Sequence, residues 1–519
     1  MLPFQDIDID AKAKLDYYLN NFGTHNCNYA FANLFSWRHK YHTSWCIYNN
    51  CLIIKFLING KNKIGYLQPI GKNIDPNIIN IMIEDAASEN QPLRLYSMTK
   101  EFTDIYKQTS VGNISYIYQN RDFEDYFYTA ESLRTLSGKN LQNKRNQINQ
   151  FKKLYKNSSY KLLNNTDKEE VENLMMLWGN EKALPDYGIN EESDMIRQSF
   201  MHFDALGIFG IILYIDNRAV GFSFGSYLNK KIFCVHAEKA NTQYIGIYSY
   251  INQLLASNLP QDIELINREE DLGIIGLRKS KLSYYPKLLS SDYYAISKSD
   301  ETEIWKLWKT CFGDSNEFIY SYLFNYSKND NRILKYQGDD LAAMLHFHIF
   351  MNRDIDKIAY LYGLATSPQY RKKGFACDVI EKSLQELWNN DVKIVFLIQE
   401  NKDFNSWYNK FDFTPYTESP LYFHSPDNFD FGTGIIEQNF GIYRILHALD
   451  YLKIYAANHP LTNSTFYLSD TLFPKNDGTY KISNGIVEYQ VMQTTDYIMH
   501  PQDIAKQFPP DNVKLEFVM

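Results

Sequence analysis

Ala359–Leu387 reads AYLYGLATSPQYRKKGFACDVIEKSLQEL. The pattern predicts a strand, a tight basic turn and a long amphipathic helix. The turn Arg371-Lys372-Lys373-Gly374-Phe375-Ala376 fits R/Q-x-x-G-x-G/A. A strand that feeds a basic, glycine-containing turn into a helix N-terminus makes an anion site. The N–H groups of the first helical turn lack acceptors, and the helix dipole favours negative charge. Gly374 has no Cβ to hold a phosphate away from the main chain. A pyrophosphate-bearing cofactor fits such a turn.

The chain has 519 residues, too many for one core, so several domains are expected. Apolar residues make up 45% and charged residues 22%, an ordinary globular balance. A net charge of −8 argues against a general nucleic-acid binder. The cysteines, Cys27, Cys46, Cys51, Cys234, Cys311 and Cys377, form no C-x-x-C pair, and no histidine cluster has zinc-ligand spacing. No metal is expected from this pattern, and the thiols suit a reducing compartment. The segment MLPFQDIDIDAKAK is acidic and polar, unlike a signal peptide, and the longest apolar run, Leu206 to Ile215, is about half a membrane span. The expectation is a cytoplasmic protein.

The region before residue 296 reads as strands and helices in alternation. Cys51 to Leu57 and Lys63 to Leu67 read as paired strands, and Pro76 to Ala87 as a helix. Lys139 to Lys156 reads as a basic helix. A hairpin is expected at Leu206 to Ile215 and Ala219 to Tyr227, turned at Asp216-Asn217. A fresh helix starts at Glu301, which places a boundary near 296. Ser425 to Gly434 is a loop of turn formers, and Phe440 to Asn458 reads as a helix on the spacing of Ile442, Ile445, Leu449 and Leu452.

The strand, the basic turn, the helix, a strand Lys393 to Gln399 and the run Asn401 to Phe413 follow in one order. That order resembles the GNAT family of N-acetyltransferases over about 125 residues. Asn401 is followed seven residues later by Tyr408, and an aromatic comes soon after. The family has glycine before that aromatic, where this chain has Asp412. The resemblance implies a coenzyme A thioester, acetyl-CoA or another acyl-CoA, as cofactor. Leu364, Ala365 and Thr366 would contact the pantetheine arm through their main chain. Arg371, Lys372, Lys373, Gly374, Phe375 and Ala376 would cradle the pyrophosphate, with Asn401 beside the cofactor, and Tyr408 would protonate the departing thiolate. Amine attack on a thioester builds an oxyanion that a strand N–H stabilises, and the leaving sulfur needs a proton donor. Glu400, His346 and His348 are base candidates by position.

Two stretches stand out before residue 296. They are LSGKNLQNKRNQINQF, Leu136 to Phe151, and NREEDLGIIGLRKSKLSYYP, Asn267 to Pro286. With His236-Ala-Glu238-Lys239 and Phe31-Ala-Asn33-Leu-Phe-Ser-Trp37, they resemble the C-terminal domain of bacterial phosphatidylglycerol lysyltransferases. That family has two GNAT-like halves, here about 1–125 and 126–296. The resemblance implies aminoacyl-tRNA as a possible partner of 1–296. Arg278 and Lys281 are candidates for a phosphate or carboxylate, Glu238, Glu270 or Asp271 for an ammonium group, and Tyr284 for a proton donor. A charge-rich loop such as NREEDLG is also the composition of a solvated connection.

Residues 437–519 resemble the small sterol-carrier-like domain that follows a GNAT domain in acetyltransferases of the enhanced-intracellular-survival type. There the chain's terminal carboxylate enters the site, so the resemblance implies the α-carboxylate of Met519 as base. The expectation is therefore an α/β (α+β) multi-domain acyltransferase. It has two GNAT-like halves in 1–296, a GNAT domain in 297–425 and a sterol-carrier-like domain in 437–519. Its reaction is acyl transfer from CoA to a small-molecule or peptide amine. The rivals are tRNA-dependent aminoacyl transfer by 1–296 and a non-catalytic protein that binds CoA or another small molecule.

Overall fold

Short apolar runs broken by turn formers become strands along the whole chain. The computed structural model describes residues 2–60, 63–109, 115–181, 189–323, 327, 331–338, 340–352, 355–399, 402–415, 441–493 and 495–509. The chain gathers into two units, 1–302 and 303–519.

The first unit holds two mixed sheets. One contains β1 (Gln5–Asp6), β2 (Ser44–Tyr48), β3 (Cys51–Leu57), β4 (Ile64–Leu67), β5 (Ile70–Gly71), β6 (Arg94–Met98) and β7 (Tyr116–Gln119). The other contains β8 (Tyr126–Thr129), β9 (Ser158–Leu162), β10 (Phe209–Ile215), β11 (Arg218–Tyr227), β12 (Ile232–Ala240), β13 (Leu265–Asn267) and β14 (Leu288–Leu289). The expected hairpin forms: Asp216 and Asn217 take φ of 49° and 62°, the double left-handed turn that matches strand twist. The chain then crosses back. β15 (Tyr293–Ile296) leaves the second half and pairs with β6 and β7 of the first sheet. A cut at 125/126 therefore separates the first sheet from one of its own strands. Tyr294, Ala295 and Ile296 are all buried, which an interior strand position satisfies and a linker does not.

The second unit holds a mixed sheet of β16 (Arg332–Gln337), β17 (Asp340–Asn352), β18 (Asp356–Thr366), β19 (Ile394–Ile398), β20 (Thr414–Pro415) and β21 (Gly441–Ile445), in the order β16-β17-β18-β19-β21-β20. The helix Phe375–Asn389 covers one face, where Val379, Ile380, Leu384 and Leu387 pack with Leu345, Leu361 and Leu397. The opposite face carries Tyr360, Phe396 and Tyr443. It packs against the helix Ala448–Asn458 and a small sheet of β22 (Ser464–Leu468), β23 (Gly478–Ser483), β24 (Ile486–Gln490) and β25 (Ile498–Met499). The expected helix from Phe440 is corrected here: Gly441–Ile445 is a strand, and the helix begins at Ala448. Ile442 and Ile445 have helical spacing, but β19 needs an antiparallel neighbour, and tertiary pairing overrides a short periodic signal.

Each of these three large sheets contains one parallel pair among its described strands, and each pair is short. β4 and β6 pair at Tyr66–Leu95 and Leu67–Tyr96. β12 and β13 pair from Ile232–Leu265 to Cys234–Asn267. β18 and β19 pair from Ile358–Ile394 to Tyr360–Phe396, although β18 continues to Thr366. Beyond these points β6, β12 and β18 each run on without a parallel partner among the described residues, which leaves a wedge.

The opposite end of β6, away from its wedge, carries a buried ion pair. Arg94 on β6 holds Glu301 at two points, Nε to Oε2 at 3.0 Å and Nη2 to Oε1 at 2.9 Å, and Lys63 adds a contact at 3.1 Å. Burial alone would raise the Glu301 carboxyl; the two cations outweigh it and hold it down at about 2. A depressed carboxyl contributes stability above its ordinary value near 4.5, lost as pH falls toward 2, here about 3 kcal/mol. Urea unfolding of the first unit is expected to weaken by roughly that amount between pH 5 and its acid limit. Glu301→Gln is expected to be less stable at pH 7, with a flatter pH dependence over the same range. A slope identical to that of the unaltered chain would contradict the pairing.

Candidate functional site

The basic turn lies where the sequence places it. Lys372 takes φ 63° and Gly374 takes φ 90°, and Gly374 caps the helix Phe375–Asn389. The Asp378 N–H is the first to bond back into the helix, to the Gly374 carbonyl at 3.1 Å. The three N–H groups before it, of Phe375, Ala376 and Cys377, are the free donors of a helix N-terminus. A Cβ placed on Gly374 would meet nothing within 4 Å, so the approach is open. Arg371, Lys372 and Lys373 are exposed around it. The arrangement can hold a phosphate group by main-chain donors, dipole and charge together.

The strand leading into the turn has the complementary property. β18 bulges: Met344–Ala365 and His346–Tyr362 are pairs, so two residues, Gly363 and Leu364, oppose one on β17. Gly363 takes φ 65° with the Trp308 ring under it, 3.2 Å from where a Cβ would stand. A glycine here satisfies both conformation and space. Past Tyr360 the β19 side of β18 has no strand partner among the described residues. No described side chain bonds the main chain of Leu364 or Ala365, whereas the Thr366 carbonyl accepts from Arg371 Nε at 3.3 Å. An extended polar chain fits that edge as a strand would.

Tyr408 is buried in the core beside Trp407 and Phe413, 8% exposed, and burial pushes its phenol up to about 12. Its hydroxyl has no protein partner among the described residues and keeps its proton near neutral pH. Asn401, Glu400 and Met519 lie outside the described residues. His346 and His348 share a face, and the Tyr322 hydroxyl lies 3.0 Å from a ring nitrogen of each. Burial, then repulsion from Arg332 and His348, lowers His346 to about 3, so it is neutral and a weak base near pH 7.

Asp412 has a structural account. It takes φ 60°, the conformation that glycine adopts easily. Its carboxylate meets Arg444 at 2.7 Å. Arg444 is fully buried on β21 and also pairs with Asp470 at 2.8 Å. The left-handed position is kept by an aspartate that a buried cation holds in place.

In the first unit the corresponding wedges are filled. At β6 the Gln68 side chain accepts the Thr99 N–H at 2.8 Å, and the Gln68 carbonyl takes the Tyr29 hydroxyl at 2.9 Å. At β13 the chain turns into Arg268-Glu269-Glu270-Asp271, which is not a solvated connection. Arg268 pairs with Glu238 at 2.9 Å, Glu269 with His236 at 2.9 Å, and the fully buried Asp271 with Arg278 at 2.7 Å. Arg278 also holds Asp122 at 2.6 Å, and Tyr126 donates to Asp271. The buried Lys281 ammonium binds the carbonyls of Arg268, Glu269 and Glu270. Tyr284 is buried between Lys144, 4.0 Å from its ring, and Arg268, 5.0 Å away. Burial, and then Arg268, lowers Lys144 to about 8. Glu238, Asp271, Arg278, Lys281 and Tyr284 thus share one network, and each is already engaged by protein. The helix after β12, Ile247–Asn258, also starts at a left-handed glycine, Gly246, with φ 82°. There a Cβ would stand 2.3 Å from the Gln147 carbonyl, so that helix start is blocked. Lys144 and its neighbour Arg145, which bonds the Leu136 and Gly138 carbonyls, turn inward, while Lys139, Lys152, Lys153 and Lys156 are exposed. A cleft of about 360 Å³ in this unit is lined by His25, Asn26, Lys100, Glu101, Asp292 and Tyr293 among others.

The comparisons with known proteins agree with the two family resemblances read from the sequence. The model for the phosphatidylglycerol lysyltransferase C-terminal domain matches residues 19–296, and that for the GNAT acetyltransferase domain matches residues 292–415. The chain belongs to the phosphatidylglycerol lysyltransferase C-terminal family and continues into a GNAT domain; it is an acyltransferase-type enzyme. A conserved protein of unknown function from Bacteroides thetaiotaomicron is 31% identical over 57% of this chain and 100% of its own, with a TM-score of 0.54. The L-PGS structure from Bacillus licheniformis is 14% identical over 56% of this chain and 92% of its own, with a TM-score of 0.40. An uncharacterized protein of Mycoplasmoides gallisepticum is 25% identical over 48% of this chain and 88% of its own. No helix among the described residues is long and apolar enough to cross a membrane.

Asp412→Gly separates two opposing effects. Relief of the left-handed conformation gains about 1 kcal/mol. Loss of one carboxylate from a buried guanidinium costs about 3 kcal/mol. The second effect is larger, so the variant is expected to unfold about 2 kcal/mol more easily in denaturant, with Asp412→Asn between it and the unaltered chain. A gain in stability would contradict the role given to Arg444.

Proposed function

We propose that the second unit transfers an acyl group from CoA, in the first instance acetyl from acetyl-CoA, to an amine, at the wedge between β18 and β19. The observation that carries this reading is the contrast between helix starts. Gly374 opens on free space, and Gly246 opens on the Gln147 carbonyl. The pyrophosphate lies on the turn Arg371 to Ala376, and the pantetheine arm runs along Leu364, Ala365 and Thr366 as a substitute strand. The strand N–H groups there stabilise the thioester oxyanion. Tyr408 protonates the leaving thiolate; its raised phenol keeps the proton until the sulfur needs it. His346 is too weak a base near neutrality, which leaves His348, Glu400 and the α-carboxylate of Met519 as candidates to take the proton of the attacking amine.

A second reading concerns the first unit, whose family name speaks of lysyl transfer. Four exposed lysines, Lys139, Lys152, Lys153 and Lys156, lie on or beside one helix, where they meet a polyanion; Lys152 also lies over the Tyr250 ring, at 5.2 Å. Under this reading an aminoacyl-tRNA binds there and presents its aminoacyl end at the cleft. Replacing the four lysines with glutamine is then expected to flatten the dependence of tRNA binding on log salt by roughly three to four.

The first reading is tested by calorimetry with acetyl-CoA on the full chain. Gly374→Glu is expected to weaken binding by at least 10²-fold, through a carboxylate placed at the phosphate position. Tyr408→Phe is expected to leave binding within about twofold and to lower turnover against a panel of amines by about 10²-fold. Equal affinity of Gly374→Glu and the unaltered chain would overturn the assigned site.

A further inference from the structure

Three donors that neither reading uses meet inside the first unit. The Cys27 thiol, the Asp125 carboxylate and the Glu270 carboxylate each offer an atom, and the three atoms lie within 4.8 Å of one another. They come from the turn Cys27–Tyr29, the residue before β8 and the loop after β13. Cys27 is 4% exposed and Asp125 0%.

Asp125 is held and incomplete at once. Its Oδ2 accepts from the Cys27 N–H at 2.6 Å and from Asn267 Nδ2 at 2.7 Å. Its Oδ1 is enclosed and has no hydrogen-bond partner. An enclosed carboxylate oxygen left unpaired carries its whole desolvation penalty, so a partner of opposite charge is the natural complement. Cys27 Sγ lies 3.5 Å from Glu270 Oε2. A thiolate and a carboxylate bound to one tetrahedral zinc, at ~2.3 and ~2.0 Å, stand about 3.5 Å apart.

The neighbouring cations are committed elsewhere. Lys281 binds three carbonyls, and Arg268 pairs with Glu238. Asp125, Glu269 and Glu270 therefore outnumber the cations beside them. Burial, then the charge of Glu270, pushes the Asp125 carboxyl well up, and burial does the same to the Cys27 thiol. Without a cation these groups hold protons; with one they release them to it. A second group, Cys234, His236 and Glu269, is also within 4.8 Å internally, but its hydrogen bonds are complete. His236 Nδ1 meets Glu269 at 2.9 Å, His236 Nε2 meets Ser226 Oγ at 2.7 Å, and Asn33 Nδ2 donates to Glu269 at 2.8 Å.

We propose that Cys27 Sγ, Asp125 Oδ1 and the Glu270 carboxylate bind a divalent cation of the zinc class. A thiolate among carboxylates selects zinc over magnesium or calcium. Asn267 and the Cys27 N–H orient Asp125 as outer partners of a ligand do, and the Cys234–His236–Glu269 group packs outside. The spacing of 27, 125 and 270 along the chain carries no metal signature, so only the fold reveals the group.

The test uses the full chain, prepared without chelator, then stripped and reloaded with Zn²⁺ or Co²⁺. Elemental analysis is expected to find about one zinc per chain. Cobalt is expected to give a thiolate charge-transfer band and strong visible bands of a tetrahedral site. Cys27→Ser and Asp125→Asn, each confirmed folded by circular dichroism, are expected to lose the metal and the band. Cys46→Ser, a buried thiol of the first sheet's core, is expected to keep both. Metal uptake by the unaltered chain no greater than by Asp125→Asn overturns the site. So does a thiolate band that survives Cys27→Ser and disappears in Cys234→Ser, because the ion would then lie on the other group.

Discussion

The parting of a parallel strand pair is the constraint on which each large sheet depends. Parallel neighbours are joined by slanted hydrogen bonds and need a crossover between them. In this chain each such pair lasts two or three residues before one strand runs on alone. The lone stretch exposes main-chain groups that must find partners. In the first unit the protein supplies them: Gln68 and Tyr29 beside β6, and Lys281 under the turn after β13. In the second unit Leu364 and Ala365 lie on the edge beside an open helix start. Among the described residues one architecture thus yields two closed wedges and one open wedge, and an open one has room for a ligand.

Buried charge keeps these shapes. Arg94 with Glu301, Arg268 with Glu238, and Arg444 with Asp412 and Asp470 are enclosed or nearly so, and Asp271 is fully buried against a partly exposed Arg278. Such pairs add little net stability over apolar packing, but removing one partner is costly. They therefore act as fixed pins. Arg444 ties the turn at Asp412 to the loop at Asp470, so β20, β21 and the small sheet hold one arrangement. The 267–271 turn is pinned at nearly every residue, which explains a dense run of charge that is not a surface.

What was legible in the sequence was local. Arg371 to Ala376 lies between an apolar strand and a helix whose periodicity is strong, and Asp216-Asn217 is a turn by chemistry alone. The strand YYAI was legible as a strand, but its place between β6 and β7 was not, because pairing across nearly 200 residues leaves no local mark. GIYRI read as the start of a helix, since five residues with two isoleucines three apart fit either period. Asp412 looked like a departure from its family until Arg444, from a strand about 30 residues later, supplied its reason. Glu238, Asp271, Arg278 and Lys281 were legible as charged residues of interest, yet their mutual pairing follows from the wedge and not from spacing. Cys27, Asp125 and Glu270 meet only after both halves of the first unit have folded.

The most direct measurement is hydrogen–deuterium exchange of the full chain with and without acetyl-CoA. The open wedge predicts that amides of residues 361–366 and 374–378 slow markedly on binding, while those of 244–250, behind the Gln147 carbonyl, do not change. Protection at 244–250 with none at 361–366 or 374–378 would contradict the account.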